Sequence, residues 1–328
     1  MTDPNPLAGL PLEYPVELVP PDLSPYRAGN EGVDYVQTFR AEEPGPHVAL
    51  CAVVHGNEPC GALALDRLLR EEVRPKRGTL SFFFANLDAY NAFDAERPMD
   101  SRWADEDFNR LWSDEILESS RQSLELTRAR ALRPFVGTID LLLDIHSMQH
   151  VTEPLLMAGP SPKGVALAKA VGAPETIVID EGHAAGPRLR DFAPFIDPAS
   201  PKNAVLVECG QHWETGAEVW AFETAVRFLR ATGATDHIYP EVSPGETSSQ
   251  KVLRITKRVT IASENFAFVD EFRGMEVIPQ AGTVIANDGD TPITTPHDDC
   301  VLIMPTRRTW PGQTAVRLGR FEPHDPSA

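Results

Sequence analysis

Three apolar runs in this 328-residue chain each lead into a residue type that a catalytic metal site requires. Residues 48–54 lead into His55-Gly56-Asn57-Glu58, residues 139–145 into His146, and residues 204–207 into Glu208. Two histidines and a glutamate as ligands leave a fourth position for water, and a second glutamate nearby can serve as base. This is the arrangement of catalytic zinc in metallopeptidases. His55, Glu58 and His146 are therefore the expected ligands of one Zn2+ per chain, with Glu208 as general base. An HxxE pair alone is a weak signature, and a strand-end Glu also reads as the partner of a nearby Arg. The convergence of three run ends carries the expectation.

Near-continuous apolar and β-branched runs read as strands buried on both faces, hence a parallel sheet covered by helices. In such sheets ligands bind beyond the carboxyl ends of the strands. His55 would leave a strand end while Glu58 sits in the first helical turn, and Gly56 permits the tight turn between them. Asp144 lies two residues before His146, on the same side of a regular strand. It reads either as the acceptor of a ligand histidine's second ring proton or as a buried carboxylate satisfied by backbone amides. Apolar residues at Ala62, Leu65, Leu68 and Leu69 predict a helix over 61–72. A further strand is expected over 79–85, ending on Asn86, and helices near 113–131, 162–171 and 217–232. This alternation is the α/β pattern.

The character changes after Gly233. Pro240, Pro244 and Gly245 punctuate a polar link, and short alternating runs follow at 251–255, 283–286 and 301–304. The expected organisation is an extended, Pro-rich arm over 1–30, a catalytic α/β domain over 31–240, and a small antiparallel β domain over 241–328 that contributes to the pocket.

Composition narrows the function. The chain is 42% apolar and 24% charged, the profile of an ordinary globular protein. A net charge of −18 argues against a phosphate-backbone partner, which needs basic stripes. No run approaches the roughly 20 apolar residues of a membrane span, and no signal peptide is visible. Cys51, Cys60, Cys209 and Cys300 show no CxxC spacing and read as free thiols in a reducing cytoplasm. A homo-oligomer is compatible with the sequence.

Between the first two ligand segments, residues 100–112 read Asp-Ser-Arg-Trp-Ala-Asp-Glu-Asp-Phe-Asn-Arg-Leu-Trp. Two arginines and an asparagine in such a stretch can clamp a carboxylate, although a charged stretch is also an ordinary solvated loop.

Taken in order, HGNE at 55–58, the Arg102…DEDFNR segment ending at 110, LDIH at 143–146 and VECG at 207–210 resemble the succinylglutamate desuccinylase/aspartoacylase family. The tail over 282–289, followed by Thr295-Pro296-His297-Asp298, resembles that family's C-terminal β domain. The resemblance implies a zinc amidohydrolase with a carboxypeptidase-like fold, in which His55, Glu58 and His146 hold zinc and Glu208 is the base. It implies that Arg102 polarises the scissile carbonyl, that Asn109 and Arg110 bind a substrate carboxylate, and that Asp107 holds one of these arginines. Arg190 is similar to a further carboxylate-binding arginine, with Arg188 as the rival. Two departures stand out. No tyrosine lies around 297–300, where the family's aspartoacylases close the pocket with one, and the segments 147–150 and 181–186 match no familiar branch. His150, His183 and His212 read as pocket-lining or as polar loop residues.

The expected activity is hydrolysis of the amide bond of a small N-acyl amino acid or related carboxylate-bearing amide. A carboxypeptidase-like peptidase is the alternative, and a non-catalytic binding protein on the same scaffold is a third reading.

Overall fold

The protein is described here from a computed structural model covering residues 5–183, 185–242, 250–307 and 309–323. Pro244 and Gly245 of the expected link, and the first four residues of the arm, lie outside these residues. The α/β part carries strands β1 (Val36–Arg40), β2 (His47–Ala52), β3 (Thr79–Phe84), β4 (Leu141–Met148), β5 (Leu155–Met157), β6 (Thr176–Ile179) and β7 (Asn203–Gln211). Its helices are α1 (Pro59–Arg70), α2 (Leu87–Asn91), α3 (Asp114–Leu117), α4 (Leu124–Val136), α5 (Pro162–Val171), α6 (Ala193–Ile196) and α7 (Thr215–Ala231). The remainder forms β8 (Lys251–Thr260), β9 (Phe266–Phe268), β10 (Glu276–Ile278), β11 (Val284–Asp288), β12 (Thr291–Thr294), β13 (Cys300–Ile303) and β14 (Thr314–Phe321).

These strands form an eleven-stranded mixed sheet in the order β1-β3-β2-β4-β7-β5-β6-β8-β14-β13-β10, plus a three-stranded antiparallel sheet, β12-β11-β9. The centre, β3-β2-β4-β7, is parallel. Alternation of side chains along a strand explains why its sequence is apolar throughout. On β2, Val48, Leu50 and Ala52 pack into one core with Leu65 of α1, Ala168 of α5 and Ala221 of α7. Ala49 and Cys51 pack into a second core with Leu126, Ala129 and Leu132 of α4. Helices thus cover both faces, in agreement with the expected fold class.

Three local expectations are corrected. The apolar patterns end at His146 and Glu208, but the strands do not. β4 runs on to Met148 and β7 to Gln211, because backbone pairing continues where the side chains turn polar. The helix expected over 113–131 is two helices, since Ser113 and Ser123 each cap a new start by accepting from Ile116 N and Leu126 N. Glu58 is the residue just before α1, with Pro59 opening the helix, rather than a member of its first turn.

The C-terminal residues join the large sheet directly. β8 pairs in parallel with β6, and β14, β13 and β10 extend that edge antiparallel. All four cysteines are free and buried. No helix among the described residues is long and apolar enough to cross a membrane.

Two contacts set the loops that bear the site. Gly56 is needed for close approach rather than for a left-handed turn, because a Cβ there would run into the backbone of Ala89, Tyr90 and Ser101. Its N–H also donates to Arg102 O at 3.1 Å, tying the HGNE loop to the arginine segment. Glu125, fully buried on α4, accepts from the N–H groups of Ala104, Asp105 and Glu106 at 2.6, 3.0 and 3.2 Å. It also accepts from Asn86 Nδ2 at 3.2 Å. One carboxylate therefore holds the loop of residues 102–110 against the scaffold.

Gly56→Ala should lower unfolding free energy by about 1–3 kcal/mol through overpacking, read by urea denaturation; unchanged stability would refute the close-approach argument. Glu125→Ala leaves three N–H groups of the loop without their acceptor and should cost roughly 1–3 kcal/mol. Amide hydrogen exchange should show residues 104–106 losing protection ahead of the central strands, and uniform loss would contradict the anchoring role.

Candidate metal centre and active site

His55, at the exit of β2, and His146, on β4, both turn Nδ1 toward Glu58. His55 Nδ1 lies 2.7 Å from Glu58 Oε1 and His146 Nδ1 lies 3.0 Å from Glu58 Oε2. One donor atom from each of the three residues lies within 4.8 Å of the others, and all three residues are buried. The opposite ring nitrogens face carboxylates: His55 Nε2 is 3.0 Å from Asp107 Oδ1, and His146 Nε2 is 3.1 Å from Asp144 Oδ2. That is how metal-ligating imidazoles are normally fixed in tautomer and orientation, so the donor set fits a divalent metal of the zinc type.

For Asp144 the structure supports the histidine-partner reading. Its carboxylate is fully buried and takes no backbone amide among the described residues. For Asp107 the expectation was incomplete. It faces Arg110 Nη2 at 3.4 Å and Arg102 Nη2 at 3.8 Å, as a structural carboxylate would, but it also orients His55.

The register of the parallel pair β4–β7 sets His146 directly beside Glu208. Glu208 Oε2 is buried without a hydrogen-bond partner, and burial pushes the carboxyl up to about 8 despite the nearby charges of His146 and Arg102. Arg102 reaches the same point, with Nη1 3.3 Å from Glu58 Oε1 and Nη2 3.1 Å from His55 Nε2. The sequence thus brought together residues from four separate segments.

Asn109 and Arg110 stand on the next wall. Asn109 Oδ1 accepts from Leu189 N at 2.8 Å, leaving Nδ2 toward His146, and Arg110 Nη1 donates to Asn109 O at 2.7 Å. Burial, then the proximity of Arg102, Arg188 and Arg317, lowers the Arg110 guanidinium to about 10 despite Asp107.

Arg190 is a correction. It lies outside the cavity, 2% exposed, with its guanidinium on Asp191 Oδ1 (2.6 Å), Ala158 O (3.0 Å) and Ala204 O (2.9 Å). It closes the carbonyls left where β5 ends and β7 begins. The rival, Arg188, lines the cavity, held by Asp191 Oδ2 (2.6 Å) and Asp180 Oδ2 (3.2 Å) with Nη2 unpartnered. Arg188 is the extended residue just before a short 3-10 turn (Leu189–Asp191) and Arg190 lies within that turn, so one faces in and one faces back.

Every site residue expected from the sequence except Arg190 opens onto one cavity of about 620 Å³. Pro6 and Leu7 of the N-terminal arm and Trp310 and Gln313 of the C-terminal segment also line it. The C-terminal contribution comes from residues 304–317 and not from 297–300, where His297 instead bonds Thr256 Oγ1 at 2.8 Å. His150, His183 and His212 all line the cavity. His212 Nδ1 meets Ser147 Oγ at 2.8 Å, and burial drives its pKa down to about 3. His183, buried beside Arg110 and Arg317, is lowered to about 2, so both rings are neutral. His150 bridges Tyr14 of the arm and Arg307 N. Asp180 and Arg317 were not singled out in the sequence, where neither carries a local signal.

The family model of the Succinylglutamate desuccinylase/Aspartoacylase catalytic domain matches residues 44–237. No curated protein matches the sequence. Among solved structures, a succinylglutamate desuccinylase from Vibrio parahaemolyticus is 17% identical with a TM-score of 0.67, over 88% of this chain and 86% of that one. A succinylglutamate desuccinylase/aspartoacylase from Rhodobacter sphaeroides is 17% identical (TM-score 0.62, 88% and 89% covered). The product-bound ectoine utilization protein EutE (DoeB) from Ruegeria pomeroyi is 15% identical (TM-score 0.59, 95% and 97%). At such identities the structural likenesses establish the fold. With more than half of its length matched by the family model, the chain belongs to the succinylglutamate desuccinylase/aspartoacylase family.

Proposed function

We propose that the protein is a zinc-dependent hydrolase that cleaves the amide bond of a small N-acyl amino acid or a related carboxylate-bearing amide. The observation that carries this reading is the pairing of the buried His55-Glu58-His146 group with a partnerless carboxylate oxygen of Glu208 in the adjacent register position. His55, Glu58 and His146 would hold the metal, one per chain. When bound, zinc acidifies a water molecule and polarises the amide carbonyl.

Glu208 takes the proton of the attacking water at Oε2 and returns it to the leaving nitrogen. Arg102 offers its guanidinium to the negative charge that develops on the carbonyl oxygen. Asn109 Nδ2 and the Arg110 guanidinium hold a substrate carboxylate and so fix the amide in register with Glu208. Asp107 and Asp144 keep the two imidazoles turned with Nδ1 toward the metal position. Both terminal segments contribute to the lining, and a volume of about 620 Å³ suits a small substrate. Four free thiols suit a cytoplasmic setting.

Metal analysis of the purified protein should find about one zinc per chain, and a chelator should abolish turnover of N-acyl amino acids. Glu208→Gln should keep its zinc while losing at least about 10²-fold in kcat; normal hydrolysis by that variant would exclude Glu208 as the base. Asp144→Asn, nearly the same in shape, should weaken zinc binding by roughly 10- to 100-fold in competition with a zinc indicator. Unaltered affinity would show that Asp144 does not support His146.

A further inference from the structure

His212 lines the cavity, is 1% exposed and has only one of its two ring nitrogens engaged. Nδ1 meets Ser147 Oγ at 2.8 Å, whereas Nε2 is buried with no partner among the described residues. The Ser147 hydroxyl has no other partner among those residues, so its proton goes to Nδ1 and the ring proton sits on Nε2. Burial keeps the imidazole neutral, and the result is an uncharged donor left over in the cavity wall. Its place relative to the carboxylate clamp is set by His146. Asn109 Nδ2 stands 3.5 Å from His146 Nε2, whereas Glu58 stands at the Nδ1 edge and accepts from Ser147 N at 3.1 Å. Asn109 and the Ser147–His212 pair thus flank opposite edges of one ligand ring.

An amide's acyl chain and its nitrogen leave the carbonyl carbon in different directions. With the amine half held by Asn109 and Arg110, the acyl half points toward the other edge. Met148, whose carbonyl accepts from His212 N at 2.8 Å, lines the cavity there. Leu7 and Trp310, which pack with Trp213 beside His212, line it too. His212 is therefore a single donor set in a largely apolar lining. We propose that His212 Nε2–H donates to an uncharged oxygen on the acyl group, so that acyl groups bearing a hydroxyl or keto oxygen are preferred over plain hydrocarbon ones. A hydrocarbon chain in that place excludes water and leaves the donor buried and unsatisfied, which is how a site built for a hydrogen bond rejects an analogue lacking the partner. Ser147 is a positioning residue, because it acts through the ring. The inference rests on the proposed function and names the acyl half of that substrate class.

The test uses N-acyl derivatives of L-aspartate, L-glutamate and L-alanine in pairs that exchange a methyl for a hydroxyl: propionyl against glycolyl, and butyryl against β-hydroxypropionyl. Titration calorimetry on zinc-loaded Glu208→Gln protein should give at least about fivefold tighter binding for the hydroxylated member of one pair or both. Adding His212→Phe should shrink that ratio to within about twofold, whereas His212→Gln, which keeps a neutral N–H donor, should retain most of it. Heteronuclear NMR of the imidazole rings should show His212 protonated at Nε2, with Ser147→Ala loosening that preference. Equal affinities with His212 intact, a ratio untouched by His212→Phe, or a ring protonated at Nδ1 would overturn the proposal. So would a malonyl derivative that binds tighter than the glycolyl one, since the position would then belong to a carboxylate. If His212→Phe does not fold, as judged by circular dichroism, the parent's ratio and the ring tautomer decide. Turnover by unmutated zinc enzyme keeps the two readings apart. Hydrolysis without acyl discrimination defeats the His212 assignment alone, whereas discrimination in binding without hydrolysis of any N-acyl amino acid defeats the amidohydrolase reading alone.

Discussion

The Glu58 carboxylate, buried between two imidazoles, is the contact on which the rest of the site depends. Burial alone would raise its pKa, yet the opposing charges of His55 and His146 hold it well below the usual carboxylate range. An anion in a protein interior is tolerated only with close, well-directed partners. Here each oxygen has one, at 2.7 and 3.0 Å, and Ser147 N adds a donor at 3.1 Å. Those demands fix where β2 must end, where α1 must begin and how β4 must stand beside them.

The same logic extends outward through carboxylates. Asp144 and Asp107 hold the far sides of the histidines, Glu125 holds the loop that carries Asp107, and Asp180 and Asp191 hold the arginines of the far wall. Glu125 and Asp180 reach partners from other segments, whereas Asp144 and Asp191 hold neighbours on their own. The strong acidity of the chain as a whole does not extend into the cavity, where Arg102, Arg110, Arg188 and Arg317 stand beside Glu58, Asp107 and Glu208.

The eleven-stranded sheet makes this arrangement mechanically coherent. Since β8 adds to β6 and β14 to β8, the C-terminal residues are held in the same hydrogen-bonded framework as His146 and Glu208. Arg317 is thereby fixed relative to Asp180, which follows β6 directly, and the loop ahead of β14 meets the N-terminal arm around Leu7, Trp213 and Trp310. Residues 297–300 do not line the cavity, and the C-terminal residues that do lie closer to β14 or on it.

Much of this was legible in the sequence. The apolar runs named β2, β4 and β7, because a strand buried on both faces has no polar period to hide it. The residues at their ends, His55, Glu58, His146 and Glu208, were expected to converge and do lie together, because the parallel strands end side by side. Position within the fold decided what the sequence left open. Arg188 and Arg190 are two residues apart and chemically identical, and only the direction of a 3-10 turn placed one in the cavity and the other behind it. Gly56 looked like a turn residue, but the backbone of Ala89 and Ser101 is what excludes a side chain there. Glu125, Asp180 and Arg317 carry no local signature, since their partners lie 8 to 137 residues away and come together only when sheet and helices pack. Local pattern determines which elements form and what chemistry they carry, whereas long-range packing determines which charges meet.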